Sequence, residues 1–171
     1  MKFNRLLALL LLCSFQSFAQ DHFKKTFPQV WQRSIDYTER VAQAMPADKY
    51  NFKPEEGFMS FGEQLLHIAG NVEYLTEKIT GERVSFYDRK QSAALSKPEI
   101  ISILQEANSH VAGLILTISQ EILQEEVSFG NVKMTRENLF YLLRDHQTHH
   151  RGQAVVYLRL NKIEVPAYVG W

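Results

Sequence analysis

Asp145-His146-Gln147-Thr148-His149-His150-Arg151-Gly152-Gln153 places three of the chain's six histidines within five residues. The segment around it, residues 135–160, contains no proline. Its apolar residues recur at Leu139, Leu142, Leu143, Ala154, Tyr157 and Leu160, which is the spacing of one long helix. On a wheel of about 100° per residue, Leu139 and Tyr157 mark the centre of the apolar stripe, and His146 and His150 each fall within about 20° of it. The pair therefore points into a core, one turn apart. His149 projects about 80° to one side, at the stripe's edge, where a partly wet imidazole costs little.

Each buried imidazole carries a donor and an acceptor that need partners, and here two are stacked on one apolar face. A shared metal ion satisfies both. Histidines at i and i+4 aim their nitrogens at a common point, the geometry of helix-borne zinc sites, with a third ligand to come from elsewhere. The competing reading is a pair of hydrogen-bonded core histidines. The pair also lacks the adjacent glutamate of a metalloprotease motif.

At 171 residues, 45% hydrophobic and 22% charged, the chain is sized for one globular domain with a sizeable core. Residues 1–19 are of a different kind. Lys2 and Arg5 precede an apolar run from Leu6 to Leu12, and Ser17-Phe18-Ala19 offers small residues where a signal peptidase reads, so a signal peptide cleaved after Ala19 is expected. The run is too short to span a bilayer, and no stable membrane insertion follows cleavage. Leu12 before Cys13 departs from a lipobox, which leaves lipidation the lesser reading. The expected mature domain is residues 20–171, exported and periplasmic.

Cleavage takes Lys2 and Arg5 from nineteen basic residues and nothing from nineteen acidic ones, leaving a net charge of about −2. Nothing there recruits nucleic acid. It also removes Cys13, the only cysteine, so any metal must be held by His, Asp, Glu or water.

Four helical patterns are expected. The first, residues 21–45, carries Phe27, Val30, Trp31, Val41, Ala42 and Met45 on one face and ends before Pro46. Ser34 and Thr38 lie inside that stripe, bonded back to their own helix or, as a second reading, lining a polar pocket that faces the histidines. The second starts at a capping box, Ser60 with Glu63, and stops at Gly81, with Phe61, Leu65, Ile68, Val72, Leu75 and Ile79 as its stripe. His67 projects about 125° from that stripe, so a wheel places it on the surface. The third starts at Ser96 with Glu99 and carries Ile100, Leu104, Ala107, Val111, Leu114, Ile118 and Ile122 as one continuous face to about Gln124. His110 flanks it. A turn at Gly130-Asn131 leads to Thr135, the cap of the histidine helix. These predict an all-α, antiparallel four-helix bundle, with connections 46–60 and 82–95 covering one end and the apolar tail 163–171 packed on the bundle or on a partner subunit.

Leu65-Leu66-His67, together with His146-x-x-His149-His150-Arg151-Gly152-Gln153, Tyr157-Leu158-Arg159-Leu160 and the Val165-Pro166 turn, resembles the DinB-like four-helix-bundle metal-binding family. The resemblance implies a divalent metal held by His67, His146 and His150, with water completing its coordination. Some members it is similar to transfer bacillithiol, mycothiol or glutathione to an electrophile, others isomerise maleylpyruvate, and some are described as metal-dependent hydrolases. This sequence departs from them in its expected signal peptide and export, and in Asn161-Lys162, where members of the family it resembles often carry glycine.

Two functions follow as expectations. One is a metal-dependent transferase or hydrolase acting on a small molecule, with zinc the first metal and nickel or iron as alternatives; Gln153 and His149 then stand near the metal. The other is a non-enzymatic metal-binding or partner-binding bundle of the periplasm, in which the helix faces and the Trp171 tail build a homodimer. Histidines that bind nothing and merely fill polar slots are the third reading.

Overall fold

The computed structural model describes residues 22–169. The expected leader 1–19, with Cys13, and the tail residue Trp171 lie outside the described residues. Among the described residues five α-helices and one hairpin run in the order α1 (His22–Ala44), α2 (Phe61–Thr80), α3 (Lys97–Thr117), a short α4 (Gln120–Gln124), β1 (Glu126–Phe129), β2 (Val132–Thr135) and α5 (Arg136–Leu160), with short 3₁₀ helices at Ala47–Lys49 and Arg89–Ala94 in the connections. Among the described residues no helix is long and apolar enough to cross a membrane.

The helix ends form where the sequence places its signals. Ser60 Oγ accepts from Glu63 N at 3.2 Å and Glu63 Oε2 accepts from Ser60 N at 2.6 Å, a closed capping box that opens α2. Gly81 closes it at φ 80°, a conformation that a side chain would strain. Glu99 accepts from Ser96 N at 2.8 Å at the start of α3, and Thr135 Oγ1 accepts from Asn138 N at 3.3 Å at the start of α5.

The end of α5 is less relaxed. Lys162 follows the Asn161 cap at φ 58°, the one non-glycine residue at positive φ among the described residues. A left-handed lysine costs roughly 1 kcal/mol, so Lys162→Gly is expected to raise the melting temperature by about 2–4 °C in a scanning-calorimetry comparison.

α1, α2, α3 and α5 form the bundle. α2 packs against α3 and α5, and α1 packs against the same two, so α1 and α2 stand at opposite corners. One apolar cluster joins Phe23, Phe27 and Trp31 of α1 to Val72 and Ile79 of α2, Val111 of α3 and Phe140 of α5. A second joins Val41 and Met45 to Phe61 and Leu65, Ile100 and Leu104, and Tyr157 and Leu158. These memberships set the directions: α2 runs antiparallel to α5, and α1 antiparallel to α3, while α2 and α3 run parallel. The expected bundle is present, with an up-down-down-up order.

The physical reason is the connection at residues 82–95, fourteen residues that can extend to about 46 Å, whereas the 20-residue α2 is about 30 Å long. The segment runs back along α2 rather than capping one end. Phe86 N donates to Glu73 at 2.8 Å, Arg89 pairs with Glu73 at 2.7 Å, and Tyr87 Oη donates to Leu66 O at 3.2 Å. The Arg89 side chain crosses Gly70 closely: a Cβ there would meet its guanidinium at 3.0 Å.

One further expectation needs correction. The third helix does not run to Gln124. It stops at Thr117, Ile118 turns extended, and Ser119 caps a new short helix through Ile122 N. That turn rotates the buried face, so Leu123 is buried and Ile122 is exposed. The turn expected at Gly130-Asn131 is present, with Gly130 at φ 58°, and it closes a two-stranded antiparallel hairpin that pairs Val127 with Met134, strands that the sequence reading did not assign. The tail behaves as expected of one packed on the bundle: Ile163 and Val165 pack on the second cluster, and Tyr168 lies edge-on to Tyr37 at 5.6 Å.

Between the two clusters the residues turn polar on every helix: Ser34 and Thr38 on α1, His67 and Asn71 on α2, Asn108 on α3, and His146, Gln147, His150 and Arg151 on α5. This layer crosses the bundle at mid-length.

Candidate metal centre

The histidine helix α5 shares one face with α2 and another with α1. On the α2 face, His67, His146 and His150 come together. Their ring centroids are 5.0 Å (67 to 146), 4.5 Å (67 to 150) and 4.4 Å (146 to 150) apart. One ring nitrogen from each lies within 4.8 Å of the others, a span that a single cation with bonds of about 2.0–2.1 Å draws together. Among the described residues no carboxylate joins the group.

His67 reaches this place although the wheel put it on the surface. α2 is covered on three sides, by α3, by α5 and by the returning segment 82–95, so its buried arc is far wider than one stripe. The flank at His67 is the side that meets α5.

A side chain that spacing did not single out orients the site. Gln64, one turn before His67, places its Oε1 2.6 Å from His150 Nδ1. Its Nε2 donates to Gln153 Oε1 at 2.7 Å and to Tyr157 Oη at 3.3 Å. With the amide nitrogen committed to two acceptors, the oxygen must receive the proton of His150 Nδ1, which leaves the Nε2 lone pair free for a metal. The chain continues outward: Gln153 Nε2 meets His149 Nε2 at 2.7 Å. The signal for Gln64 was a polar residue inside an otherwise apolar, buried turn. Removing such a ring-orienting partner typically lowers metal affinity about 10–100-fold, so Gln64→Leu is expected to shift the zinc titration midpoint by that factor while the fold is retained.

The environment also fixes protonation. Burial first, then the neighbouring imidazoles, lowers His150 to about 3 and His146 to about 4 from an ordinary 6.5. His67 is lowered by burial and by the positive field of Arg89. All three are neutral at pH 7, the ligand form. In metal-free protein the unfolded chain takes up protons below about pH 6.5 that folded His146 and His150 refuse until near 4 and 3. Stability is therefore full above 6.5 and falls as pH drops through that window. Melting temperatures of metal-free protein from pH 8 to 4 are expected to fall more steeply than those of His150→Gln.

The remaining sequence candidates divide. His149 is exposed and Gln153 half-buried, and both touch the site through the Gln64 chain. Ser34 and Thr38 do not line a pocket facing the histidines. Thr38 Oγ1 donates back to Ser34 O at 2.7 Å, and the pair receives Gln147 and Arg151 on the α1 face of α5. A wheel centred on His146 and His150 hid this second face, because α5 buries two faces at once.

Beside His67 opens a cleft of about 340 Å³ lined by Phe58, Met59, Leu66, His67 and Tyr87, with Lys53 at its wall. Both long connections contribute to it. Phe58 and Met59 are 52% and 39% exposed and form an apolar rim to the cleft.

Comparisons with known proteins agree with this architecture. The uncharacterized Bacillus subtilis protein YjoA is 26% identical over 136 residues, covering 77% of this chain and 86% of its own. The crystal structure of that DinB-like protein superimposes with a TM-score of 0.66 at 21% identity, over 82% of this chain and 95% of the other. A DinB-like protein from Bacillus cereus reaches 0.70 at 19% identity, over 82% and 94%. YfiT from Bacillus subtilis, described as a probable metal-dependent hydrolase with an unusual four-helix bundle topology, reaches 0.65 at 17% identity, over 82% and 89%. Residues 19–168 match the DinB family. With the match spanning nearly the whole chain and the same bundle in its structural neighbours, the chain belongs to the DinB family.

Proposed function

We propose that this chain is a metal-dependent enzyme that hydrolyses, or transfers a group to, a small electrophile bound in the cleft beside His67. The observation that carries the reading is the convergence of three neutral imidazoles next to that open cleft with no carboxylate among them. The donor set fits a divalent cation: zinc is favoured by three nitrogens with room for a further ligand, and imidazole also suits nickel and iron. Such a cation supplies Lewis acidity to a carbonyl and lowers the pKa of a water or thiol, keeping its full double charge when all three ligands are neutral.

The protein's own residues do the rest. Gln64 holds the His150 ring, Tyr157 anchors that glutamine and donates to Met59 O at 2.9 Å, and so ties the cleft rim to α5. Phe58 and Met59 offer surface for an apolar portion of the substrate. Glu63 is not a free base, since it caps Ser60 N and pairs with Lys53 at 3.0 Å. YfiT, whose fold is shared, is the comparison that favours hydrolysis.

The test is turnover of ester, amide and thiol-transfer substrates by protein loaded in turn with zinc, nickel and iron. Activity that chelation abolishes and metal restores is expected. Metal bound tightly with no turnover in any class would overturn the enzyme and leave the non-enzymatic bundle. Export belongs to the same proposal, supported by the Lys2–Ala19 pattern, and sequencing of the protein isolated from cells is expected to begin at Gln20.

A further inference from the structure

The face of α5 that meets α1 carries a second constellation, built around Arg151. Its residue is 8% exposed, yet its bonding partners are neutral: Nη1 donates to Ser34 O at 3.1 Å, Ser34 Oγ at 3.0 Å and Thr38 Oγ1 at 3.2 Å, and Nη2 to Thr148 Oγ1 at 3.2 Å. The guanidinium lies 4.9 Å from the centre of the Tyr37 ring. Ser34 O is oversubscribed, because it also accepts from Thr38 Oγ1 at 2.7 Å and Gln147 Nε2 at 3.3 Å. A buried guanidinium normally sits against a carboxylate, since its desolvation is otherwise offset only in part. Among the described residues none lies within ion-pair distance of Arg151 or of Arg33.

Arg151 forms part of the wall of a half-open cavity of about 260 Å³ between α1 and α5, which Arg33, Arg144, Tyr37 and Tyr168 also line. The one acidic residue of the lining, Asp145, is held by Arg144 at 2.7 Å. Three arginines thus line a small concave space against one carboxylate that is already paired. The arrangement is separate from the metal centre: the neighbours His150 and Arg151 project about 100° apart around the helix, one to α2 and one to α1.

We propose that this cavity is a binding site for a small oxyanion, a carboxylate or phosphate group, with Arg151 as its floor and Arg33 and Arg144 at its walls. With Nη1 held by Ser34 and Thr38, Arg151 offers either group the side edge of its planar guanidinium, Nε–H and the second Nη2–H, for bidentate contact. The volume suits a ligand of a few heavy atoms beyond its charged group, smaller than a drug-sized molecule.

The experiment is isothermal titration of the full chain, stripped of metal on a chelating resin, with sodium phosphate and separately with sodium succinate. Ionic strength is held constant with sodium chloride. Saturable one-to-one binding is expected, weakened about 10–100-fold in the Arg33→Ala/Arg144→Ala double variant and in Arg151→Lys. Tighter binding of phosphate identifies a phosphate-bearing ligand, and tighter binding of succinate a carboxylate. Arg33 and Arg144 are only half-buried, so the double variant keeps the test decisive if Arg151→Lys fails to fold. Heats no larger than those of sodium chloride, or binding that the double variant retains in full, would overturn the proposal.

Discussion

His146→Ala protein is expected to lose metal affinity by roughly two to three orders of magnitude, and to emerge from purification essentially metal-free where the parent carries close to one ion. The size follows from the ligand count. Structural zinc sites of four ligands bind with about 10–16 kcal/mol, so one ligand is worth about 2.5–4 kcal/mol, or about 10²–10³ in affinity. Of the remaining pair, His150 keeps its ring orientation through Gln64, which separates loss of a ligand from loss of the site's geometry. Elemental analysis of both proteins checks it, without an affinity tag.

A thermal readout distinguishes the alternatives. Metal that binds only the folded state raises the melting temperature by mass action, so the parent is expected to rise on zinc addition and His146→Ala to stay nearly level. Equal zinc response in the two proteins would mean that the three histidines only fill polar slots in the core.

Phe140→Ala is expected to destabilise the protein by about 3–5 kcal/mol, a fall in melting temperature of roughly 6–20 °C for a domain of this size. Phe140 is fully buried where α5 meets α1. Its ring lies 5.3 Å from Phe23 and 6.0 Å from Phe27, so truncation opens a cavity among aromatic rings that cannot all close on it. The hydrogen bonds of the polar layer, Gln147 with Thr38 and Arg151 with Ser34, hold α5 to α1 further along. Metal affinity at 25 °C is therefore expected to be kept while thermal stability drops. Parallel calorimetry and zinc titration would show an error in this division if both fell together.

Much of the bundle was legible because its signals are local. Ser60 with Glu63, Ser96 with Glu99, Thr135 and Gly81 each satisfy backbone groups at a helix end with residues a few positions away. The hairpin and the break at Ile118 were missed for a related reason. Val127–Met134 is short and mixed in polarity, and Ile118 and Ile122 keep helical spacing across a turn that Ser119 alone announces.

His146 and His150 could be paired from the sequence, since helical geometry relates residues four apart regardless of what surrounds them. His67 could not be placed by periodicity, because its role depends on which helix α2 faces across its flank, and only the family resemblance pointed to it. Gln64 and the Arg151 cavity lay beyond both. Each depends on side chains that the bundle brings together from positions 86 to 117 residues apart, as Gln64 Oε1 meets His150 and Arg151 meets Ser34. Local sequence thus determined the helices, their caps and the one-helix half of the site. The tertiary structure decided the helix directions, the third histidine and the second face of α5, because those follow from long-range packing around a connection long enough to run back the length of a helix.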